Sequence, residues 1–358
     1  GLPAAKELRQ ATRAAGIKLH LDLVTNHVAW DSPLRKSHPE WFHPDQAITD
    51  PHDAKQREIG WVHGLPDLAQ EQPEVSEYLI GHAKRWQQEL QPDGYRLDAL
   101  THVPAAFIRS LAVALGSGVE LLGEIYDGRA HVLSERWKQT GLKSAFDFPS
   151  HFALLNSICD EQPMQALASV LALDRLYQRP EDLLIFVDNH DLPRVLSRCG
   201  NDQVRAHLAL SVLFALRGTP VITYGTESGL AGKGEPENRA DMVFDAKHPT
   251  FAHLQSLVAK RAAHPLLASG KTEVLHVDAD QLQLLRYDAQ GALLVAINKG
   301  RSAQAIESNK LPRGLNFQKP DQRIQIAGQS VDIVELKVSN HQTFSEWLSA
   351  RQTTRSIR

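Results

Sequence analysis

From residue 73 onward the chain alternates between short apolar segments and longer amphipathic ones, and this rhythm limits the fold most strongly. Each amphipathic segment has the length of a helix, roughly 10–20 residues, and each apolar segment has that of a strand. The apolar segments, including one that precedes the rhythm, end near residues 24, 98, 124, 148, 187 and 224. Helices that connect successive strands produce a parallel sheet, so the sequence predicts an α/β fold.

The rhythm stops at Pro265, and the remaining chain follows a different pattern. Short alternating segments separated by turn residues predict a C-terminal antiparallel β domain over 270–340, followed by a tail, 341–358, with a short helix at 344–351. Residues 28–72 are rich in Trp, His, Pro and Asp and too long for an ordinary connection. They predict a small inserted domain, or a long functional loop, within an α/β domain spanning 1–265.

Composition narrows the range of partners. The net charge is −3 and no run of basic residues stands out, so we expect neither nucleic acid nor a membrane as a partner. No apolar run reaches the roughly 18 residues of a membrane span. Cys159 and Cys199 are far apart in sequence and predict free buried thiols, with a disulfide as the open alternative. Compartment and oligomeric state are not predicted from the sequence.

The segment Gly94–His102 places Arg96 and Asp98 two residues apart on a predicted strand, so both side chains point to one face. The arginine keeps the neighbouring carboxylate ionised. An oriented, ionised carboxylate at the end of a strand is what covalent catalysis requires. Taken alone, the two residues also fit a purely structural ion pair.

Reactive residues recur at the ends of the other predicted strands. Asp22 and His27 follow the first, Glu124 ends another, and 188–191 (Asp-Asn-His-Asp) follow a later one. In a β/α barrel the active site lies at the C-terminal ends of the strands, and several strands contribute to it. Individually, Glu124 also fits a residue next to a helix N-cap, and His27 a buried structural histidine. Together they predict one catalytic rim.

Two kinds of hydrolase have acids and histidines at the ends of their strands, and the sequence distinguishes between them. A metal-dependent hydrolase needs closely spaced histidines, and the sequence contains no His-x-His; each rim histidine instead follows an asparagine, in Asn26-His27 and Asn189-His190. Paired carboxylates fit glycoside hydrolysis, with one nucleophile and one proton donor. Aromatic residues near the rim (Trp30, Trp41, Trp61 and Tyr126) offer flat faces for sugar rings, although any one of them taken alone is more often a packing residue.

These motifs resemble the four sequence signatures of the α-amylase family of glycoside hydrolases. The matching segments, in order, are 22–27 (DLVTNH), 94–102 (GYRLDALTH), 123–124 (GE) and 186–191 (FVDNHD). Gly64–Leu68 is similar to a fifth signature, 218–225 to the eighth barrel strand, and 235–239 (EPENR) to the loop after it.

The resemblance implies a (β/α)8 TIM barrel and a role for each matching residue. Asp98 is implied as the nucleophile, Glu124 as the general acid/base and Asp191 as the stabiliser of the transition state. Arg96 is implied to keep Asp98 ionised, His27 and His190 to bind the sugar at the cleaved bond, His102 to lie on the leaving-group side, and Asp22 to be a buried supporting acid. Tyr126 and Trp61 complete the expected substrate-binding residues.

Other features depart from the family pattern. Six strands instead of eight indicate that strands 3 to 8 are present, that the first two are missing, and that the chain is truncated at its N-terminus. The small inserted domain then follows strand 3. Thr101 stands where many members have Lys, which alters recognition of the leaving group. Asn26 matches a position that holds calcium in some members, so no cofactor is required but a structural calcium ion is an open alternative.

The resemblance predicts a retaining hydrolase of α-glucosidic bonds, mainly α-1,4, in starch-like glucans, maltooligosaccharides or cyclodextrins. Two alternatives remain open: a transglycosylase of the same family, and a catalytically impaired sugar-binding fragment.

Overall fold

The computed structural model describes residues 1–306, 310–318 and 324–356. The chain forms two units, residues 1–146 and 147–358. The first unit contains, in chain order, α1 (Leu2–Ala14), β1 (His20–Leu23), α2 (Pro33–Ser37), α3 (Ala54–Ile59), α4 (Pro73–Glu89), β2 (Gly94–Leu97), α5 (Ala105–Leu115), β3 (Glu120–Gly123), α6 (Ala130–Thr140) and β4 (Ser144–Ala145).

The four strands of the first unit form a parallel sheet in the order β1-β2-β3-β4. Side chains alternate across it, as the pleat requires. Tyr95 is buried on the face next to α4, where its hydroxyl donates to the carbonyl of Ala83 at 2.8 Å. Arg96 points to the opposite face. Asp22 pairs in register with Arg96, so polar residues of neighbouring strands lie side by side near the C-terminal edge.

The segment between β1 and α4 contains little regular structure. Besides α2 and α3 it is connected by isolated bridges, among them Phe42 with Leu68 and Ala47 with Trp61. The Ser32 hydroxyl caps α2 and the Asp53 carboxylate caps α3, which explains where these short helices begin. The composition of residues 28–72, rich in Trp and Pro, did not predict either helix. An inserted domain over these residues stays a prediction.

The second unit carries helices and strands of two kinds, parallel and antiparallel. It contains α7 (Phe148–Ile158), α8 (Gln165–Leu171), β5 (Leu184–Phe186), α9 (Val195–Arg198), α10 (Gln203–Ala215), β6 (Thr219–Val221), α11 (Pro249–Ala263), α12 (Leu266–Ser269), β7 (Lys271–Val277), β8 (Gln281–Tyr287), β9 (Ala292–Asn298), β10 (Gln304–Ile306), β11 (Leu315–Phe317), β12 (Ile324–Ile326), β13 (Ser330–Val338) and α13 (His341–Ser356). Strands β5 and β6 pair in parallel.

The antiparallel strands form a five-stranded sheet in the order β11-β13-β9-β8-β7, with a separate pair, β10-β12. Alternate residues of the sheet enter two cores. Leu284 and Val295 pack with residues of α7, α8 and α10 on one face. Leu285 and Leu294 pack on the other face with the β10-β12 pair and Phe344 of α13. The antiparallel strands predicted after residue 270 are therefore present; 307–309 and 319–323 lie outside the described residues.

Three predictions from the sequence were wrong in detail. The sequence pattern of residues 151–171 predicts one continuous helix, but the structure divides this region into α7 and α8, because Glu161 adopts a positive φ of 58° and Pro163 lacks a backbone N–H. The tail helix α13 is longer than the expected 344–351. Cys159 and Cys199 form a disulfide rather than two free thiols. The two cysteines follow α7 and α9, whose ends bring their Cα atoms within 4.3 Å despite 40 residues of separation.

None of the helices in the described part of the chain has both the length and the apolar character needed to cross a membrane.

A buried ion network lies in the second unit. The Arg217 guanidinium donates to Asp147 at 2.5 Å and to Asp174 at 2.7 Å, and all three residues are at most 5% exposed. Asp147 also caps α7 by accepting from the amide of Ser150. Removing one partner of such a network leaves uncompensated buried charge.

We expect Arg217→Met to lower the free energy of unfolding by about 3–5 kcal/mol, because Asp147 and Asp174 would lose their cation. Arg85→Met is the matched control, since Arg85 pairs with Glu89 on an exposed helix face and should matter little. Urea unfolding measures both. Equal, small losses in the two variants would contradict a stabilising role for the buried network.

His151 packs against Phe186 at the end of β5. It is 4% exposed, stacks on Phe186 with ring centroids 4.5 Å apart, and its Nδ1 donates to the Phe186 carbonyl at 3.2 Å. Burial lowers the pKa of His151 to about 4. Since the unfolded histidine binds its proton near pH 6.5, acid favours unfolding.

Stability should therefore fall by about 3 kcal/mol between pH 6.5 and 4 through this residue, a shift of about 2.5 pKa units at 1.36 kcal/mol each. His151→Gln should remove that part of the pH dependence, whereas His131→Gln, at an exposed position, should keep it. Unfolding free energies measured across this range test the difference. Parallel pH profiles for wild type and His151→Gln would contradict it.

Candidate active site

Arg96 in β2 connects three carboxylates of the first unit. Its Nη1 donates to Asp22 Oδ1 and Asp98 Oδ1, both at 2.8 Å, and its Nη2 lies 2.7 Å from Glu124 Oε1. The geometry follows from the sheet: Asp22 is opposite Arg96 in register, Asp98 is two residues beyond it, and Glu124 directly follows β3. The predicted pairing of Arg96 with Asp98 is present. The guanidinium also contacts Asp22 and Glu124, which the sequence did not indicate.

The charge balance of this cluster keeps Arg96 protonated. Burial opposes the guanidinium charge, but Glu124, Asp22 and Asp98 outweigh it and raise the pKa of Arg96. The expectation that Asp22 is buried was wrong, because its side chain is 55% exposed. Among the described strands β1 pairs with β2 alone, so the carboxylate on this edge strand lacks a neighbour on its other side.

Glu124 is buried, and backbone groups fix its position. Its amide donates to the Leu97 carbonyl at 3.0 Å, which continues the β2–β3 pairing by one residue. Its Oε2 accepts from the amide of Ala99 at 3.1 Å. Ala99 has a positive φ of 48°, an unfavourable value for a residue with a Cβ, and this conformation occurs directly after Asp98. No local sequence pattern predicts this conformation.

His27 and His102 both lie in the first unit and are held in defined tautomers. Asn26 Nδ2 donates to His27 Nδ1 at 3.4 Å, which leaves the proton of the neutral ring on Nε2. His102 Nδ1 donates to the Arg57 carbonyl at 2.9 Å, so its Nε2 is an acceptor when the ring is neutral. Burial lowers the pKa of both histidines, against the nearby charge of Asp98 in the case of His27.

The two predicted aromatic residues differ in exposure. Tyr126, two residues after Glu124, is 52% exposed. Trp61 is half-buried and contacts Trp30 edge to face, with ring centroids 5.5 Å apart. Trp30 itself is 49% exposed, anchored through its Nε1 to the Gly64 carbonyl at 2.7 Å. These residues provide accessible aromatic surface within the first unit.

Asp191 and His190 lie in the second unit, in the loop after β5. His190 Nε2 is 3.2 Å from Asp191 Oδ2, and the Arg239 guanidinium donates to Asp191 Oδ1 at 2.7 Å. Arg239 Nε also donates to the His190 carbonyl at 3.0 Å. Sequence reasoning placed Arg239 in the loop after the last strand but did not assign it to the site. Its neighbour Asn238 contacts the same carbonyl, so this loop orients the His190–Asp191 pair.

Asp188 anchors the start of this loop. It is 1% exposed and accepts from the amide of Val195 at 2.8 Å, with Arg194 3.7 Å away. Burial raises the pKa of Asp188, against the charge of Arg194. Residues 188–191 are predicted from the sequence as one reactive group; in the structure Asp188 is buried and Asp191 is accessible.

Asn26 was predicted as a candidate calcium ligand, and its surroundings are rich in oxygen. Buried side-chain oxygens of Asn26, Asp67 and Gln70 (Oδ1, Oδ1 and Oε1) have no hydrogen-bond partner among the residues that the structure describes. Gln70 Nε2 donates to the Asn26 carbonyl, and the amide of Leu68, next to Asp67, donates to the same carbonyl at 2.8 Å, which places these residues together. Carboxylate and amide oxygens are ligands that calcium prefers, so the residues fit the ion. No group of three or more His, Cys, Asp or Glu suited to a metal occurs within the described ranges.

Comparison with known proteins supports the interpretation of these motifs. Residues 2–263 match the family model described as "Alpha amylase, catalytic domain". An intracellular maltogenic amylase of Bacillus subtilis is 28% identical over 320 residues, covering 83% of this chain and 53% of the relative. A cyclomaltodextrinase of Geobacillus thermopakistaniensis is 27% identical and covers 84% of this chain and 54% of the relative. The chain thus spans about half the length of these relatives.

Solved structures agree. The α-amylase of Geobacillus thermoleovorans, determined in complex with acarbose, superimposes with a TM-score of 0.84 at 30% identity, covering 95% of this chain and 81% of that one. These similarities confirm the predicted TIM-barrel fold and the C-terminal antiparallel sheet. The chain belongs to the α-amylase family of glycoside hydrolases.

Proposed function

We propose that this chain hydrolyses α-glucosidic bonds, mainly α-1,4, with retention of the anomeric configuration through a double displacement. The observation that carries the proposal is the contact of one guanidinium, Arg96, with both Asp98 and Glu124. Contact with the same side chain supports a close spacing of the two carboxylates, and retaining glycosidases have carboxyl groups about 5–5.5 Å apart. Substrate classes follow from the names of the relatives: glucans, maltooligosaccharides and cyclodextrins.

In this proposal Asp98 attacks the anomeric carbon while Glu124 donates its proton to the departing sugar oxygen. Glu124 then takes a proton from water, which attacks the glycosyl ester and restores Asp98. Arg96 would orient the Asp98 carboxylate for the attack through their 2.8 Å contact. Asp191 would stabilise positive charge in the oxocarbenium-like transition state. His27 would donate from Nε2 to a sugar hydroxyl, with His190, His102, Tyr126 and Trp61 as further substrate contacts.

We also propose that β1 to β6 correspond to strands 3 to 8 of the eight-stranded barrel, with residues 28–72 as the domain inserted after strand 3. The pairing of β1 with β2 alone, among the described strands, supports this assignment.

Asp98→Asn and Glu124→Gln should each reduce hydrolysis of maltooligosaccharides more than about a thousandfold, because each removes a group that takes part in bond making or breaking. The exposed positions offer matched controls, Asp31→Asn and Glu74→Gln, which should keep the wild-type rate. Initial rates on starch, pullulan and a cyclodextrin measure the loss and the bond preference. Unchanged turnover in either site variant would refute the assigned roles.

Transfer of the sugar to an acceptor is the second candidate function. The proposed mechanism allows it, because hydrolysis and transfer would share the same glycosyl–enzyme ester. Products longer than the substrate at high sugar concentration would favour a transglycosylase. A chain that binds glucan without cleaving it would favour the third alternative, an impaired sugar-binding fragment.

We propose that a structural calcium ion, if retained, is held by side-chain oxygens of Asn26 and Asp67. The ion would supply positive charge to a buried carboxylate, whose pKa burial raises to about 6 against the hydrogen bond from His43. It would not take part in the chemistry.

A chelator should then lower the Tm of the wild-type chain, and added calcium should restore it, since the ion binds only the folded state. Asp67→Asn should reduce both effects. Equal Tm values with chelator and with calcium, together with no calcium retained after dialysis, would contradict the site.

A further inference from the structure

Arg136 in α6 crosses to the turn that follows Asp98. Its Nε and Nη2 lie 3.1 Å and 2.9 Å from the Leu100 carbonyl oxygen, and Nη2 also donates to the Val103 carbonyl. Its side chain is 11% exposed and lies 3.7 Å from Glu58 of α3. We call residues 99–103, which follow Asp98, the Asp98 turn. One guanidinium therefore binds two carbonyls of this turn, one near its start and one at its end.

The carbonyls that Arg136 satisfies belong to residues that are fully buried, Leu100 and Val103. Without a donor, each buried carbonyl would lose its hydrogen bond and favour a different backbone path. Lysine cannot replace the planar fork, because an ammonium group is a single point donor without the same bridging geometry. The bridge thus depends on the guanidinium shape and not on charge alone.

The Asp98 turn carries two groups that belong to the candidate site. Its first residue, Ala99, takes the unfavourable positive φ that aims its amide at Glu124 Oε2, 3.1 Å away. Its fourth residue, His102, donates to the Arg57 carbonyl in α3. The Leu100 amide donates to the Glu124 carbonyl at 2.9 Å, which ties the turn to the end of β3. Backbone held in a sparsely populated conformation persists only where its surroundings over-determine it.

We propose that Arg136 is a positioning residue for catalysis: by bridging the Leu100 and Val103 carbonyls it holds the Asp98 turn in the strained conformation that orients Glu124 and His102. The inference rests on the proposed hydrolytic function. Arg136 acts through the backbone of the turn, to which its guanidinium donates. Small displacements of a reacting group are costly for rate even when substrate still binds.

Steady-state kinetics of Arg136→Ala on a maltooligosaccharide test the proposal. We expect kcat to fall about a hundredfold with KM changed little, because Glu124 would be misplaced while most contacts with the sugar remain. Guanidinium ion at millimolar concentration should restore part of kcat by occupying the space left by the side chain, and equal concentrations of ammonium should not. Arg136→Lys should remain impaired.

The matched control is Arg109→Ala. Like Arg136, Arg109 donates from its guanidinium to a backbone carbonyl, but its acceptor is Gln139 in α6 and the contact is exposed. It should keep the wild-type kcat and show no response to guanidinium. Wild-type kcat in Arg136→Ala, full activity in Arg136→Lys, or a loss that guanidinium does not relieve would each overturn the proposal. An inactive wild-type chain would instead overturn the proposed function, and this inference with it.

Discussion

The contact of Arg96 with three carboxylates is the interaction on which the candidate site depends. One cation contacts three carboxylates, those of Asp22, Asp98 and Glu124, and its positive charge offsets the repulsion among these closely placed acids. Partial burial makes this balance stronger than at a surface, because water screens the charges less. The parallel register of β1, β2 and β3 brings the three acids to one guanidinium, so the backbone pairing and the electrostatics are coupled.

Hydrogen bonds to backbone groups of neighbouring loops hold the candidate site residues in position. Glu124 receives a hydrogen bond from the amide of Ala99, and that amide is aimed by an unfavourable φ value. In the second unit, Arg239 and Asn238 contact the carbonyl of His190 and thereby orient the loop with Asp191. In both units a side chain from a distant part of the sequence fixes a loop that follows a strand. Reacting groups are held most accurately by supporting residues of this kind.

Sequence reasoning succeeded where a periodic pattern or a short spacing determined the outcome. The two-residue spacing of Arg96 and Asp98 placed both side chains on one face, and the βα rhythm identified the strands that carry them. It failed where the result depends on contacts distant in sequence. The exposure of Asp22 reflects which strand lies at the sheet edge, the disulfide of Cys159 with Cys199 requires two helix ends to meet, and the contact of Arg239 with Asp191 joins two loops. No local pattern encodes these outcomes.

The central claim is that Asp98 forms a covalent bond with the sugar, and labelling of the intact chain tests it most directly. An activated fluorinated α-glucosyl donor that forms the ester quickly and releases it slowly should trap the intermediate. Digestion and mass spectrometry should then locate one added glycosyl group on the peptide that contains Asp98. Attachment to a different carboxylate, or steady turnover of the donor with no covalent adduct at any time, would contradict the account.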